Sequence, residues 1–145
     1  MKEDQEYNLE TQLSCPNLPG LKIVLRQKLA GRFLGKRYHV FGTHTEAVDP
    51  KIRLGHLQML KRFVDEQQIP AGEPVLMGGD MNINSLKPEY RTMLSTLNAT
   101  HPPLQGQEPL SCDSTKNGLN LLQPVAPSSL LDYILFSNRH QQPSH

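Results

Sequence analysis

The segment VDPKIRLGHLQMLKRFVDEQQIP, residues 48–70, reads as a helix marked at both ends and set between stretches suited to strands. Asp49 can cap it, Pro50 suits the first helical position, where no N–H is required, and Pro70 helps to close it. Arg53, Leu57, Leu60 and Val64 share one face. Before this helix, LKIVLRQKLA and KRYHVFGTHT carry β-branched or aromatic residues with partial alternation. GRFLG between them reads as a hairpin connection, which predicts antiparallel strands over about 21–30 and 37–43. After the helix, residues 75–77 form a short apolar strand. PEYRTMLSTL, from Pro88, is a second helix with Tyr90, Met93, Leu94 and Leu97 turned inward. The continuous apolar run in SLLDYILFS predicts a last strand, about 130–137, in a sheet buried on both faces. Strands and helices alternate, which makes the chain α/β.

Length and charge narrow the options further. A 145-residue chain fits one domain and can bury ~70% of its unfolded surface. Residues 1–20 are polar and end in the turn-rich CPNLPG. They read as a lead-in to a domain over residues 21–145, and the proline-rich stretch 101–129 as mostly loop. Fifteen Lys and Arg against fourteen Asp and Glu leave a formal net charge of +1. No overall field draws such a chain to nucleic acid or to an anionic membrane. Cys15 and Cys112 allow at most one bridge, and no Cys/His spacing suggests zinc. The opening MKEDQEYNLE has no apolar signal-type core, and no run approaches the roughly 18 apolar residues of a membrane span.

Chemistry concentrates where apolar strands end. In PVLMGGDMNIN, Asp80 follows an apolar strand and two glycines, and a charged carboxylate there requires a partner. Gly78 and Gly79 remove bulk so that backbone or ligand can approach. In an extended segment, Asp80 and Asn82 would point to the same side and offer an acceptor and an amide donor to one small polar ligand. The alternative, that Asp80 caps a turn and Asn82 satisfies loop backbone, is equally open. His44 ends a strand on which Val40, Gly42 and His44 share a face. CDSTKN places Asp113, Thr115 and Asn117 in a loop, where an Asx or ST turn is the simpler reading. Asp132 interrupts an apolar strand as a buried carboxylate in search of a partner. His39, His56 and His101 are expected in structural roles.

In combination these segments are more specific. HVFGTHTEA, VLMGGDMNIN, TLNAT, CDSTKN and LDYILFSNRHQQPS, in this order and spacing, resemble neutral sphingomyelinases of the bacterial secreted type, within the endonuclease/exonuclease/phosphatase family. The match runs from about Tyr38 to Ser144. The resemblance implies a four-layer α/β/β/α sandwich with its site at one end of two packed sheets. It also implies Mg²⁺-dependent hydrolysis of sphingomyelin to ceramide and phosphocholine by a secreted enzyme acting on a phospholipid surface, not on nucleic acid. By that resemblance His44 hydrogen-bonds the phosphoryl group and protonates the leaving alkoxide, Asp80 orients the site, Asn82 binds a phosphate oxygen, and Asp113 is a further polar site residue. Phosphoryl transfer, which is mostly positioning and charge stabilisation, suits such groups.

The sequence departs from the family at both ends. The family's first strand with its asparagine, and the following glutamate that binds the metal, have no counterpart, because neither Glu6 nor Glu10 sits in a strand-like context. The closing Ser-Asp-His segment is also unmatched, since neither His140 nor His145 follows an aspartate. The chain therefore reads as the C-terminal part of the domain, incomplete at both ends, with little or no activity expected from it alone. A nuclease or phosphatase of the same superfamily, or a non-catalytic fragment, are the competing expectations.

Overall fold

A computed structural model describes residues 6–10, 13–14, 22–33, 36–104, 110–113 and 128–142, with side chains from Arg37 onward. Cys15, Thr115, Asn117 and His145 lie outside the described residues. The strands are β1 (Glu6–Glu10), β2 (Leu13–Ser14), β3 (Lys22–Phe33), β4 (Lys36–His44), β5 (Val75–Asp80), β6 (Ala99–Thr100) and β7 (Asp132–Ser137). The helices are α1 (Pro50–Glu66) and α2 (Pro88–Leu97). The strands form one sheet in the order β1-β3-β4-β5-β7-β6, with β2 also on β3.

The strand reading of the middle of the chain holds, with β3 and β4 antiparallel as expected. Three expectations need correction. The polar opening is not only a lead-in, because residues 6–10 and 13–14 pair with β3. Glu6 and Glu10 therefore do lie in a strand. The apolar strand after α1 runs on through both glycines to Asp80, because its backbone pairs with β4 on one side and β7 on the other.

The third correction concerns β7. Its burial alternates, with Tyr133, Leu135 and Ser137 buried, Asp132 exposed and Ile134 60% exposed. A continuous apolar run predicted burial on both faces, but helices cover only one. On that face Phe41, Val75, Met77 and Leu135 meet Leu57, Leu60 and Val64 of α1 and Met93 and Leu97 of α2 in one apolar cluster. The Phe41 and Phe63 rings meet edge to face at 5.9 Å, a favoured aromatic geometry. Tyr38, Val40, Gly42, Leu76, Gly78, Ile134 and Phe136 belong by alternation to the other, open face, where none is fully buried.

Helix α1 forms as its sequence dictates. Asp49 Oδ1 accepts the Lys51 N–H at 2.8 Å, Pro50 occupies the first turn, and Arg53, His56, Leu57, Leu60 and Val64 are buried. The helix connects β4 to β5, which lie parallel, and so returns the chain to the start of the sheet. The C-terminal ends of both strands then fall at the same edge. Buried Arg53 locks the two helix entries together. Its Nε and Nη2 donate to the two carboxylate oxygens of Glu89 at 2.7 and 2.9 Å, and its Nη1 donates to the Glu46 carbonyl at 2.8 Å. Such a forked pair fixes orientation as well as distance.

Candidate active site

Register places three polar side chains in one row. His44 is opposite Asp80 across the parallel pair, and Asp80 is opposite Asp132 across the antiparallel pair. All three fall on the open face by alternation. His44 is 61% exposed, and its Nε2 lies 3.6 Å from Asp80 Oδ2. Asp132, expected to be buried, is exposed. Two carboxylates facing each other across a strand pair repel, so the row favours a positively charged group between or beside them.

The two glycines bring this row together. A Cβ on Gly79, whose φ is +123°, would lie 2.0 Å from the Thr43 carbonyl oxygen, and one on Gly78 would lie 2.7 Å from the Tyr133 carbonyl oxygen. Only glycine permits both the conformation and the approach. The sequence anticipates close approach here, and what approaches is the backbone of the neighbouring strands.

Beyond Asp80 the chain turns instead of extending, which corrects the expectation that Asp80 and Asn82 point to one side of a strand. Asn82 is left-handed at φ 49°, a conformation asparagine tolerates. Asp80 Oδ1 accepts the Asn82 N–H at 2.9 Å, and Asn82 Nδ2 donates to the Thr45 carbonyl at 2.8 Å. Both residues thus make the turn and backbone contacts of the simpler reading. Chemistry still has room, since Asp80 Oδ2 faces His44 and the Asn82 amide has a second proton.

Thr45, which sequence reasoning passed over, ties the two strand ends together. Its N–H donates to the Asp80 carbonyl at 3.0 Å, its hydroxyl donates to the Met81 carbonyl at 2.5 Å, and its carbonyl receives Asn82. The Met81 N–H continues the chain of contacts to the Leu131 carbonyl at 2.9 Å. A usable signal lay in the alternation of β4. Thr45 falls on the side of Phe41 and Thr43, where a buried hydroxyl requires a partner.

Tyr133 holds the far end of the same turn. Its hydroxyl reaches the Ile83 carbonyl at 2.5 Å and the Leu130 carbonyl at 2.8 Å. Burial, with Tyr90 beside it, pushes its pKa well above the usual phenol value. It therefore remains a hydroxyl donor. In the sequence it reads only as one apolar residue in a strand.

Asp113 Oδ1 accepts the Ser128 hydroxyl at 3.2 Å. The strip that carries it does touch the row from behind, because the Ser111 hydroxyl oxygen accepts the N–H groups of Leu131 and Asp132 at 2.8 and 3.0 Å. Cys112 is a half-buried free thiol paired through its backbone with Ser129.

His39, His56 and His101 make structural contacts. His39 Nε2 lies 2.5 Å from Glu73 at the opposite edge. His101 Nδ1 meets the Tyr90 hydroxyl at 2.9 Å. His56 Nδ1 accepts the Glu46 N–H at 3.1 Å, and burial, partly offset by Glu46, holds its pKa below the usual imidazole value.

Among the described residues no group of three or more His, Cys, Asp or Glu is placed to hold a metal ion. Asp80 already commits one oxygen to its turn. The described row does not by itself make up a metal ligand set.

Residues 10–144 match the Endonuclease/Exonuclease/phosphatase family. The chain belongs to that family. It is 35% identical to a sphingomyelinase C of Bacillus cereus over 74% of its own length and 36% of the relative's. It is 32% identical to a phospholipase C of Staphylococcus aureus, with 75% and 36% covered. A beta toxin mutant from Staphylococcus aureus, solved with bound magnesium ions, superposes with a TM-score of 0.69 at 30% identity, over 85% of this chain and 43% of that one. The chain thus spans about a third of the length of these curated relatives. The α/β layering agrees with the fold of the family. The described residues supply one sheet and the helices on one side of it.

Proposed function

We propose that this chain carries the phosphate-binding part of a sphingomyelin phosphodiesterase, which hydrolyses the lipid to ceramide and phosphocholine. The observation that carries the reading is the His44–Asp80 pair, side by side at 3.6 Å, with Asn82 tied to the residue next to His44. Around one phosphodiester, His44 donates a hydrogen bond to a non-bridging oxygen and supplies the proton to the departing ceramide alkoxide, while the water that adds to phosphorus releases a proton to solvent, which restores the one His44 gave up. The second Asn82 amide proton donates to another non-bridging oxygen. Asp80 orients the imidazole. Asp113 is a further substrate-binding residue in this reading. Relatives named sphingomyelinase C and phospholipase C support the substrate class.

Magnesium belongs to this reading through the beta toxin structure that holds it. The described residues offer no complete ligand set, so the purified chain with sphingomyelin and Mg²⁺ should show little or no turnover. Robust turnover that vanishes in His44→Ala would refute that expectation. An extracellular location at a phospholipid surface, and a domain that takes in β1 and β2 as well as residues 21–145, form part of the same proposal.

Titration with phosphocholine, followed by NMR, tests the site itself. The His44 ring and Asn82 side-chain signals should shift together in the chain, and the shifts should be lost in His44→Ala and Asn82→Ala. Phosphocholine that leaves both signals unmoved, or a single-stranded oligonucleotide that moves them more strongly, would overturn the lipid reading in favour of another member of the superfamily.

A further inference from the structure

His56 is fully buried on α1, yet its acceptor nitrogen serves the chain that leaves β4. Nδ1 accepts the Glu46 N–H at 3.1 Å. A backbone amide can only donate, so this contact fixes the neutral imidazole with its proton on Nε2. Nε2 is itself buried with no hydrogen-bond partner among the described residues. An apolar side chain would fill the same place without leaving a buried donor unpaired, if packing alone were required. Burial, partly offset by Glu46, lowers the His56 pKa, which keeps Nδ1 an acceptor.

The peptide unit that His56 holds is also the one that holds Asn82. The Thr45 carbonyl and the Glu46 N–H belong to a single peptide plane, and in a trans unit they point in opposite directions. One side of the plane receives Asn82 Nδ2 at 2.8 Å, and the other donates to His56. The two hydrogen bonds therefore run in series, and each polarises the other. The flanking planes are pinned as well. The Thr45 N–H reaches the Asp80 carbonyl at 3.0 Å, and the Glu46 carbonyl receives Arg53 Nη1 at 2.8 Å. With His56 in place, the direction of the Thr45 carbonyl is set from the helix side, and the Asn82 amide follows it.

We infer that His56 is a positioning residue for the phosphate-binding amide, acting on Asn82 through the Thr45–Glu46 peptide. The inference rests on the proposed role of Asn82 and adds the buried group that aims it.

NMR of the parent, His56→Leu and His56→Asn tests it. Leucine keeps apolar bulk and removes the acceptor. Asparagine offers Oδ1 in place of Nδ1 but leaves the site underfilled. Without ligand, the parent should show a nitrogen–nitrogen coupling across the Glu46 N–H···Nδ1 bond, and its Asn82 side-chain proton on Thr45 should exchange slowly. In His56→Leu that proton should lose its protection, and phosphocholine should bind about fivefold more weakly. His56→Asn should restore both, even where its urea midpoint is the lower of the two. A residue that acts only through packing gives the opposite order. His56→Met supplies a second chain without the acceptor. The inference is overturned by absence of the coupling in the parent, by an Asn82 side chain indifferent to loss of the acceptor, or by His56→Asn failing to restore it. Phosphocholine that does not bind the parent overturns the proposed function alone. The ligand-free response of Asn82 to His56→Leu then still upholds the link, and its absence overturns it.

Discussion

The two edges of the sheet are built differently. At one, the ends of β4, β5 and β7 are held by backbone geometry: a glycine pair without room for a Cβ, a left-handed asparagine, and the contacts of Thr45. At the other, side chains on more ordinary backbone do the holding, as His39 does with Glu73 and Arg37 with the same carboxylate at 3.5 Å. Precision at the first edge therefore depends on a few irreplaceable main-chain positions. The second edge depends on pairs that tolerate exchange.

Matched glycine substitutions give the sharpest test of that contrast. Gly79→Ala should destabilise the chain by about 3 kcal/mol or more, from a Cβ clash combined with a positive φ. Gly72→Ala at the opposite edge, where nothing lies within 4 Å of an added Cβ, should stay within about 0.5 kcal/mol. Urea midpoints of the two variants measure the difference, and equal midpoints would erase the distinction.

Next in size is Arg53→Met, which leaves the Glu46 carbonyl and Glu89 without their guanidinium partner. A cost of about 2 kcal/mol is expected, below that of a fully buried pair because Glu89 is 28% exposed. Denaturant unfolding reads it. Thr45→Val removes the donor to Met81 at nearly constant shape and should cost about 1–2 kcal/mol. It should also speed hydrogen exchange of the Asn82 N–H, and Thr45→Ser should restore both. Loss of stability without any change at Asn82 would make Thr45 an ordinary core residue.

Acid should act more gradually. Burial lowers the pKa of His56, His101 and His140 in the folded chain. The unfolded chain then binds more protons between those lowered values and the ordinary imidazole value of 6.5. The stabilisation is complete above that value and is lost as the pH falls through the window. Unfolding midpoints at pH 7.5 should therefore exceed those at about pH 5.5. The smallest effect belongs to the opposite edge: Arg37→Ala removes a half-exposed ion pair and should cost less than about 0.5 kcal/mol.

Much of this architecture was legible in the sequence. The capped helix after Asp49, the apolar faces of both helices and the hairpin of β3 and β4 follow from periodicity and end signals that act locally. His44, Asp80 and Asn82 stood out because polar groups beside apolar strands require partners. Asp113 rests on the family resemblance alone, since its loop setting favours a turn, and its carboxylate accepts the Ser128 hydroxyl. Thr45 and Tyr133 are not legible as site residues because each reaches a carbonyl 36 or 50 residues away, and no local pattern names so distant a partner. The misreading of β7 has a related cause. A run of apolar residues does not say which of them meets a helix, and only sheet order decides that Ile134 lies on the open face.

The glycine pair also bears on how such a chain can change. Because main-chain contact sets the lateral spacing of the row, the packing beneath it can be exchanged residue by residue without shifting His44 relative to Asp80. Neutral drift is thereby allowed in the interior and barred at two codons, whose replacement by any larger residue would pry neighbouring strands apart.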